Sequence, residues 1–207
     1  MSEDGQAAGL VGQVLDGSYR IEQLLGEGGM GAVYLATQLR LDKTVAVKVM
    51  ARDLASNEEA LERFRREAKI TSALGHPNIV QVFDFSTAPT GEPFLVMELL
   101  EGEDLEQRLH RVSRLSPKET LSVITQVGSA LAATHAKGIV HRDLKPGNIY
   151  LLEVAGARDF VKLLDFGISK VHSASAKLTR TSAVMGTPNY MSPEQAEGRT
   201  DDVDERT

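Results

Sequence analysis

The 207-residue sequence contains no cysteine and no tryptophan, and aromatic residues make up only 5% of it. Without cysteine there is no disulfide framework, iron–sulfur cluster, thiolate zinc site or cysteine nucleophile. That fits a reducing compartment. Basic charge is in deficit: 23 Lys and Arg stand against 29 Asp and Glu, a net charge of −6. A nucleic-acid binder would show a basic excess, so no nucleic-acid partner is expected. No apolar run approaches the roughly 18 residues of a membrane span. The densest, Phe94–Leu100, is interrupted by Glu98. The start, Met1-Ser2-Glu3-Asp4-Gly5, has neither the basic region nor the apolar core of a signal peptide. What remains is 42% hydrophobic and 25% charged, the composition of an ordinary globular chain long enough for one large domain or two small ones.

Residues 1–17, rich in Gly, Ala, Gln and Asp, read as a flexible leader. Tyr19 to Val49 has strand texture. Val45, Val47 and Val49 alternate with Ala46 and Lys48, which sets the two groups on opposite faces. A helix is expected from Ser56, with Ser56 and Glu59 as a capping box and an apolar stripe of Leu61, Phe64, Ala68 and Thr71 beside Glu67. Gly75 ends it and His76-Pro77-Asn78 turns the chain. Strands are expected around Ile79–Phe85 and Phe94–Leu99. Ser116-Pro117-Lys118-Glu119 opens a second helix running toward Gly138. Ile149–Leu152 and Val161–Leu164 then read as a hairpin around Gly156, and the chain from Ser169 onward as Ser/Thr-rich loop. Strands followed mostly by helix suggest an α+β chain of two lobes.

Gly26-Glu27-Gly28-Gly29-Met30-Gly31-Ala32-Val33 fits G-x-G-x-x-G-x-V. It lacks the Gly-Lys-Ser/Thr ending of a Walker loop, and a strand rather than a helix follows, against a dinucleotide fold. A plain turn and a glycine hairpin whose backbone N–H groups approach phosphates both remain open. Lys48, in Val45-Ala46-Val47-Lys48, shares its face with Ala46, a poor partner for solvent, so a cleft-facing ammonium is expected. Glu67 is the candidate carboxylate to orient it. In His141-Arg142-Asp143-Leu144-Lys145-Pro146-Gly147-Asn148, an Asp and an Asn five apart on one loop suit two tasks. Asp143 would take the proton of an attacking hydroxyl and Asn148 would bind a metal. Asp165-Phe166-Gly167 adds a hard oxygen ligand suited to Mg2+ on ATP phosphates. Gly186-Thr187-Pro188 leads to Ser192-Pro193-Glu194. His141 reads as an anchor of its loop, and the acidic run Asp201–Glu205 as a solvated face.

These motifs, in this order from about Tyr19 onward, resemble the protein kinases of the eukaryotic type. Arg65-Arg66-Glu67-Ala68 and Gly186–Gln195 are similar to bacterial (Hanks-type) Ser/Thr kinases of that family. The resemblance implies a bilobal protein-kinase-like fold, with a β-rich N-lobe over residues 18–98 carrying one main helix. It implies a helical, incomplete C-lobe over 99–207, holding the catalytic loop and activation segment. It further implies Val33 and Ala46 as the roof over adenine and Met97 as the gatekeeper. Backbone groups of Glu98 and Leu100 would bond the adenine edge, Asp104 the ribose, and Tyr150 would form the floor. Lys145 would support the γ-phosphate and Thr187 would seat a Ser/Thr acceptor. Thr179 and Thr181 resemble an autophosphorylated pair, with Arg142 as partner for the phosphate.

The implied activity is ATP- and Mg2+-dependent (or Mn2+-dependent) Ser/Thr protein phosphorylation, with protein substrates and a homodimer for autophosphorylation. The implied location is the cytoplasm, with a membrane anchor elsewhere in a longer protein. A non-catalytic, pseudokinase-like nucleotide binder is the alternative, inactive through truncation. A small-molecule phosphotransferase is disfavoured by the peptide-acceptor pattern of Gly186–Glu194. Truncation would also leave five or six apolar side chains of the second helix uncovered, each forfeiting about 1.5–3 kcal/mol. Poor solubility or a partly molten second half, with little transfer, is then expected.

Overall fold

The computed structural model describes residues 8–154, 157–165 and 188–207. The chain divides into two compact units, one of residues 1–72 with 81–100 and the other of 73–80 with 101–207.

The first unit is built on a six-stranded antiparallel sheet of order β1-β2-β3-β4-β6-β5. Its strands are β1 (Val14–Leu15), β2 (Tyr19–Gly28), β3 (Gly31–Gln38), β4 (Lys43–Met50), β5 (Val82–Thr87) and β6 (Pro93–Met97). The valine alternation has its expected consequence. Val45, Val47 and Val49 join Ala32, Tyr34, Ala36, Phe94 and Val96 in one core on one side of the sheet. Ala46 and Lys48, on the other side, are buried as well. A second cluster forms around Met50, Ala60, Phe64, Ala68 and Leu95. It uses the apolar stripe of α2 (Glu58–Leu74), which follows the short α1 (Arg52–Ala55).

The helix start differs from expectation. Ser56 is the C-terminal cap of α1 and its hydroxyl donates to the Asp53 carbonyl (2.8 Å). The cap of α2 is Asn57, whose Oδ1 accepts from the Ala60 N–H (3.1 Å). The extra turn of helix absorbed the serine. The helix does end at Leu74, and Gly75 follows with φ +55°. The next strand starts late. Ile79 makes only an isolated parallel bridge to Leu163, because the Leu163 N–H goes to the Asn78 carbonyl and its carbonyl accepts from the Val80 N–H.

The second unit contains β7 (Gly102–Asp104), α3 (Leu105–Val112), α4 (Pro117–His135), β8 (Ile149–Val154), β9 (Ala157–Leu163) and α5 (Pro193–Ala196), with β7-β8-β9 as one antiparallel sheet. The box at Ser116 is present in both directions: Ser116 N–H donates to Glu119 and Glu119 N–H to the serine oxygen. This satisfies two of the orphan donors of α4. The helix stops at His135, short of Gly138, whose φ of +70° then turns the chain. Val123, Val127, Ala130 and Thr134 form its buried face. Outside that face Leu121 and Ile124 are the large apolar side chains of the helix that are exposed, at 69% and 61%, fewer than the five or six expected. Gln126 ties this helix to the hairpin: its Oε1 accepts from Asn78 Nδ2 (3.1 Å) and Val161 N–H (3.0 Å), and its Nε2 donates to the Asp159 carbonyl (2.9 Å).

Candidate active site

In the first unit the glycine segment is a hairpin, with Gly28 opposite Gly31, Glu27 opposite Ala32 and Gly26 opposite Val33. Strand, turn and strand follow one another, so no helix opens at the glycines. Gly31 is the position that demands glycine. Its φ is +138°, and a Cβ there would lie 2.0 Å from the Val49 carbonyl oxygen. Around Gly26, Gly28 and Gly29 nothing stands within 4 Å of an added Cβ. Backbone there is open to a close-approaching ligand.

Register then gathers one face of the sheet. Val33 lies opposite Lys48, Leu35 opposite Ala46, Ala46 opposite Met97 and Lys48 opposite Leu95. Directly opposed residues share a face, so Val33, Ala46, Lys48 and Met97 line the same side of the sheet. Leu35, two residues on from Val33, and Leu95, two before Met97, join them. Lys48 Nζ is 4.0 Å from the Glu67 carboxylate, each side chain 10% exposed. The next residues are fixed through Glu98, whose N–H donates to the Gln81 carbonyl (2.9 Å) and whose Oε1 accepts from the Gln81 N–H (2.7 Å). Leu100 is half-buried and Met30 exposed.

The second unit holds the Asp–Asn loop. His141 is 2% exposed, and burial pushes its imidazole pKa down, so it is neutral. Its Nδ1 accepts from the Asp143 N–H (3.3 Å), which leaves the proton on Nε2, 3.0 Å from the Leu164 carbonyl. Asn148 turns its amide nitrogen to Asp143, donating to the backbone carbonyl (2.8 Å) and to Oδ2 (3.2 Å). The Asn148 Oδ1 takes no part in these two bonds. Lys145 Nζ stands 3.8 Å from the same Asp143 Oδ2. The Leu164 N–H donates to the Asn148 carbonyl (2.9 Å), which sets Asp165 one residue beyond, exposed and with φ +38°. Among the described residues no group of three or more His, Cys, Asp or Glu could hold a metal. An amide oxygen and a carboxylate suit Mg2+, which keeps several waters and takes phosphate oxygens as further ligands.

Asp104 and Tyr150 are cross-strand partners of β7 and β8. Asp104 caps α3 through Oδ1, which accepts from the Gln107 N–H (2.8 Å). The Tyr150 hydroxyl donates to the Gly102 carbonyl (3.1 Å), and burial, with the Asp104 and Glu103 charges, raises its pKa. Thr179, Thr181, Thr187, Phe166 and Gly167 lie outside the described residues.

The first unit thus carries a glycine hairpin and a buried Lys–Glu pair, and the second an Asp–Asn loop followed by a second Asp. The family is the protein kinases: the protein kinase domain matches residues 19–204, and the chain belongs to it. It is 48% identical over 191 residues to serine/threonine-protein kinase pkn3 of Myxococcus xanthus, covering 91% of this chain and 35% of that protein. It is 47% identical over 192 residues to PknA of Mycobacterium tuberculosis, covering 91% and 43%. The crystal structure of the PknI kinase domain of M. tuberculosis superposes with a TM-score of 0.71 at 30% identity, covering 94% of this chain and 70% of that one. The chain thus spans less than half the length of these curated relatives and carries the kinase-like fold. Among the described residues no helix is long and apolar enough to cross a membrane.

Proposed function

We propose that the protein carrying this chain is a Ser/Thr protein kinase that transfers the γ-phosphoryl group of ATP to hydroxyls of protein substrates. The arrangement that supports this best is the Asp143–Asn148 pair, one carboxylate oxygen already polarised by Asn148 Nδ2 and Lys145. In this reading residues 18–98 are the N-lobe and 99–207 a part of the C-lobe. Gly26, Glu27, Gly28, Gly29, Met30 and Gly31 form the lid whose N–H groups approach the phosphates. Val33, Ala46, Met97, Tyr150 and the backbone of Glu98 and Leu100 receive adenine, and Asp104 the ribose. Lys48, oriented by Glu67, grips the phosphates. Asn148 Oδ1 and the Asp165 carboxylate are the ligands for Mg2+, which when bound neutralises charge on the transferring phosphoryl group. Asp143 orients the acceptor hydroxyl and takes its proton as the new phosphate ester bond forms and the bond to ADP breaks. Lys145 offsets the charge developing on the γ-phosphoryl oxygens.

The family supports protein substrates. In the same reading Thr179 and Thr181 are autophosphorylated in a homodimer, with Arg142 as the phosphate partner. A phosphate there would add about −1.5 to −2 charge. A cytoplasmic kinase tethered through a distant anchor is the matching location.

The test is Asp143→Asn in the full-length protein, assayed for 32P transfer to a basic protein. Loss of the base should cut the rate about 10²–10⁴-fold. An unchanged rate refutes the role of Asp143. A parent protein that binds MgATP without transfer supports the non-catalytic alternative instead.

A further inference from the structure

The peptide unit joining Arg142 to Asp143 is held at both polar ends. Arg142 has φ +63°, a left-handed conformation that a side chain with a Cβ adopts at a cost. This turns the peptide so that its N–H meets His141 Nδ1 (3.3 Å). Its C=O, the carbonyl of Arg142, accepts from Gln195 Nε2 at 2.7 Å. Gln195 lies 53 residues away, in α5. The other end of its side-chain amide is also used, because Oε1 accepts from the Ser192 N–H (3.1 Å) in a box completed by Gln195 N–H to Ser192 Oγ (3.3 Å). Each end of the Gln195 amide thus faces a group of opposite polarity. A glutamate would keep the cap but set an oxygen against the Arg142 carbonyl oxygen.

We infer that Gln195 is a positioning residue: it locks the left-handed Arg142 peptide and thereby aims the Asp143 carboxylate, coupling the acceptor-side helix α5 to the catalytic loop. The inference rests on the kinase reading for its consequence in turnover, though not for its geometry. Cap and lock predict different orders. If Gln195 only caps a four-residue helix, glutamate replaces it well and methionine poorly, since glutamate also serves in such a box. If it locks Arg142, glutamate is the worse of the two.

The experiment compares the full-length protein with its Gln195→Glu and Gln195→Met variants in steady-state kinetics and amide hydrogen exchange. In Gln195→Glu, kcat should fall about 10–100-fold, the scale set by a displaced reacting group. KM for ATP should stay within about twofold, since ATP-binding groups are untouched. Gln195→Met should lie between the parent and Gln195→Glu. Exchange at the Asp143 amide should quicken in both variants, most in Gln195→Glu. Equal kcat in parent and Gln195→Glu overturns the inference, and so does a Gln195→Glu variant more active than Gln195→Met. A loss of kcat accompanied by a matching rise in KM also overturns it. A parent without transfer sinks the kinase reading alone, and the exchange at Asp143 then decides the inference: faster exchange in Gln195→Glu upholds it and unchanged exchange refutes it.

Discussion

Lys48 meets Glu67 at 4.0 Å with both side chains 10% exposed, which makes them a buried pair rather than a surface bridge. Removing one member of a buried pair costs about 3–5 kcal/mol, whereas replacing both with apolar groups is often neutral or stabilising. Glu67→Leu should therefore lower stability by about 3 kcal/mol, and Lys48→Met by a similar amount. Lys48→Met/Glu67→Leu should recover most of the loss. Urea midpoints of the three variants check this. All three should fail in transfer if Lys48 grips the phosphates, which separates the structural role from the chemical one. A double variant as unstable as the sum of the singles would show that the two residues do not act as a pair.

The glycines of the β2–β3 hairpin divide into two kinds. Gly31 faces backbone, with the Val49 carbonyl oxygen 2.0 Å and the Ala51 nitrogen 2.9 Å from where a Cβ would sit. Gly31→Ala should cost about 2 kcal/mol or more, as the strand pair must separate or the φ of +138° must change. Gly29 has open space at its Cβ position, so Gly29→Ala should change the melting midpoint little. If the lid reading holds, Gly29→Ala instead raises KM for ATP, because a methyl group stands between the backbone and the phosphates. Thermal melts of the two variants beside ATP titrations test both halves of this division.

The sequence was most informative where one local rule acted alone. The alternation around Lys48, the glycine hairpin and the box at Ser116 each rest on neighbours within a few residues, and each is found. It misled where two local solutions compete. Ser56 and Glu59 fit a capping box, but Arg52–Ala55 forms its own turn first, and Asn57 takes the cap. It was silent where long-range pairing decides. The placement of Leu35 and Leu95 beside Ala46 and Lys48 depends on register, and the reach of Gln126 to Asn78 and Val161 spans 48 and 35 residues. His141 read correctly as a loop anchor, but its tautomer follows only from the Asp143 N–H and Leu164 carbonyl on either side.

That anchor makes stability depend on pH. Burial lowers the His141 pKa below its ordinary 6.5, outweighing the Leu164 carbonyl and the Asp143 and Asp165 charges that pull it up. The unfolded chain therefore binds a proton near pH 6.5 that the folded chain refuses until lower pH. Stability linked to His141 is fully present above about pH 6.5 and is lost as pH falls through the folded value. The slope for one proton is at most about 1.4 kcal/mol per pH unit. His141→Asn cannot titrate in this range. Urea midpoints measured from pH 7.5 to 5 should fall for the parent, while His141→Asn, less stable at pH 7.5, shows a flatter profile. Parallel profiles for parent and variant would mean that His141 takes up its proton equally well in both states, and that the Asp143 N–H is held by something other than a neutral ring.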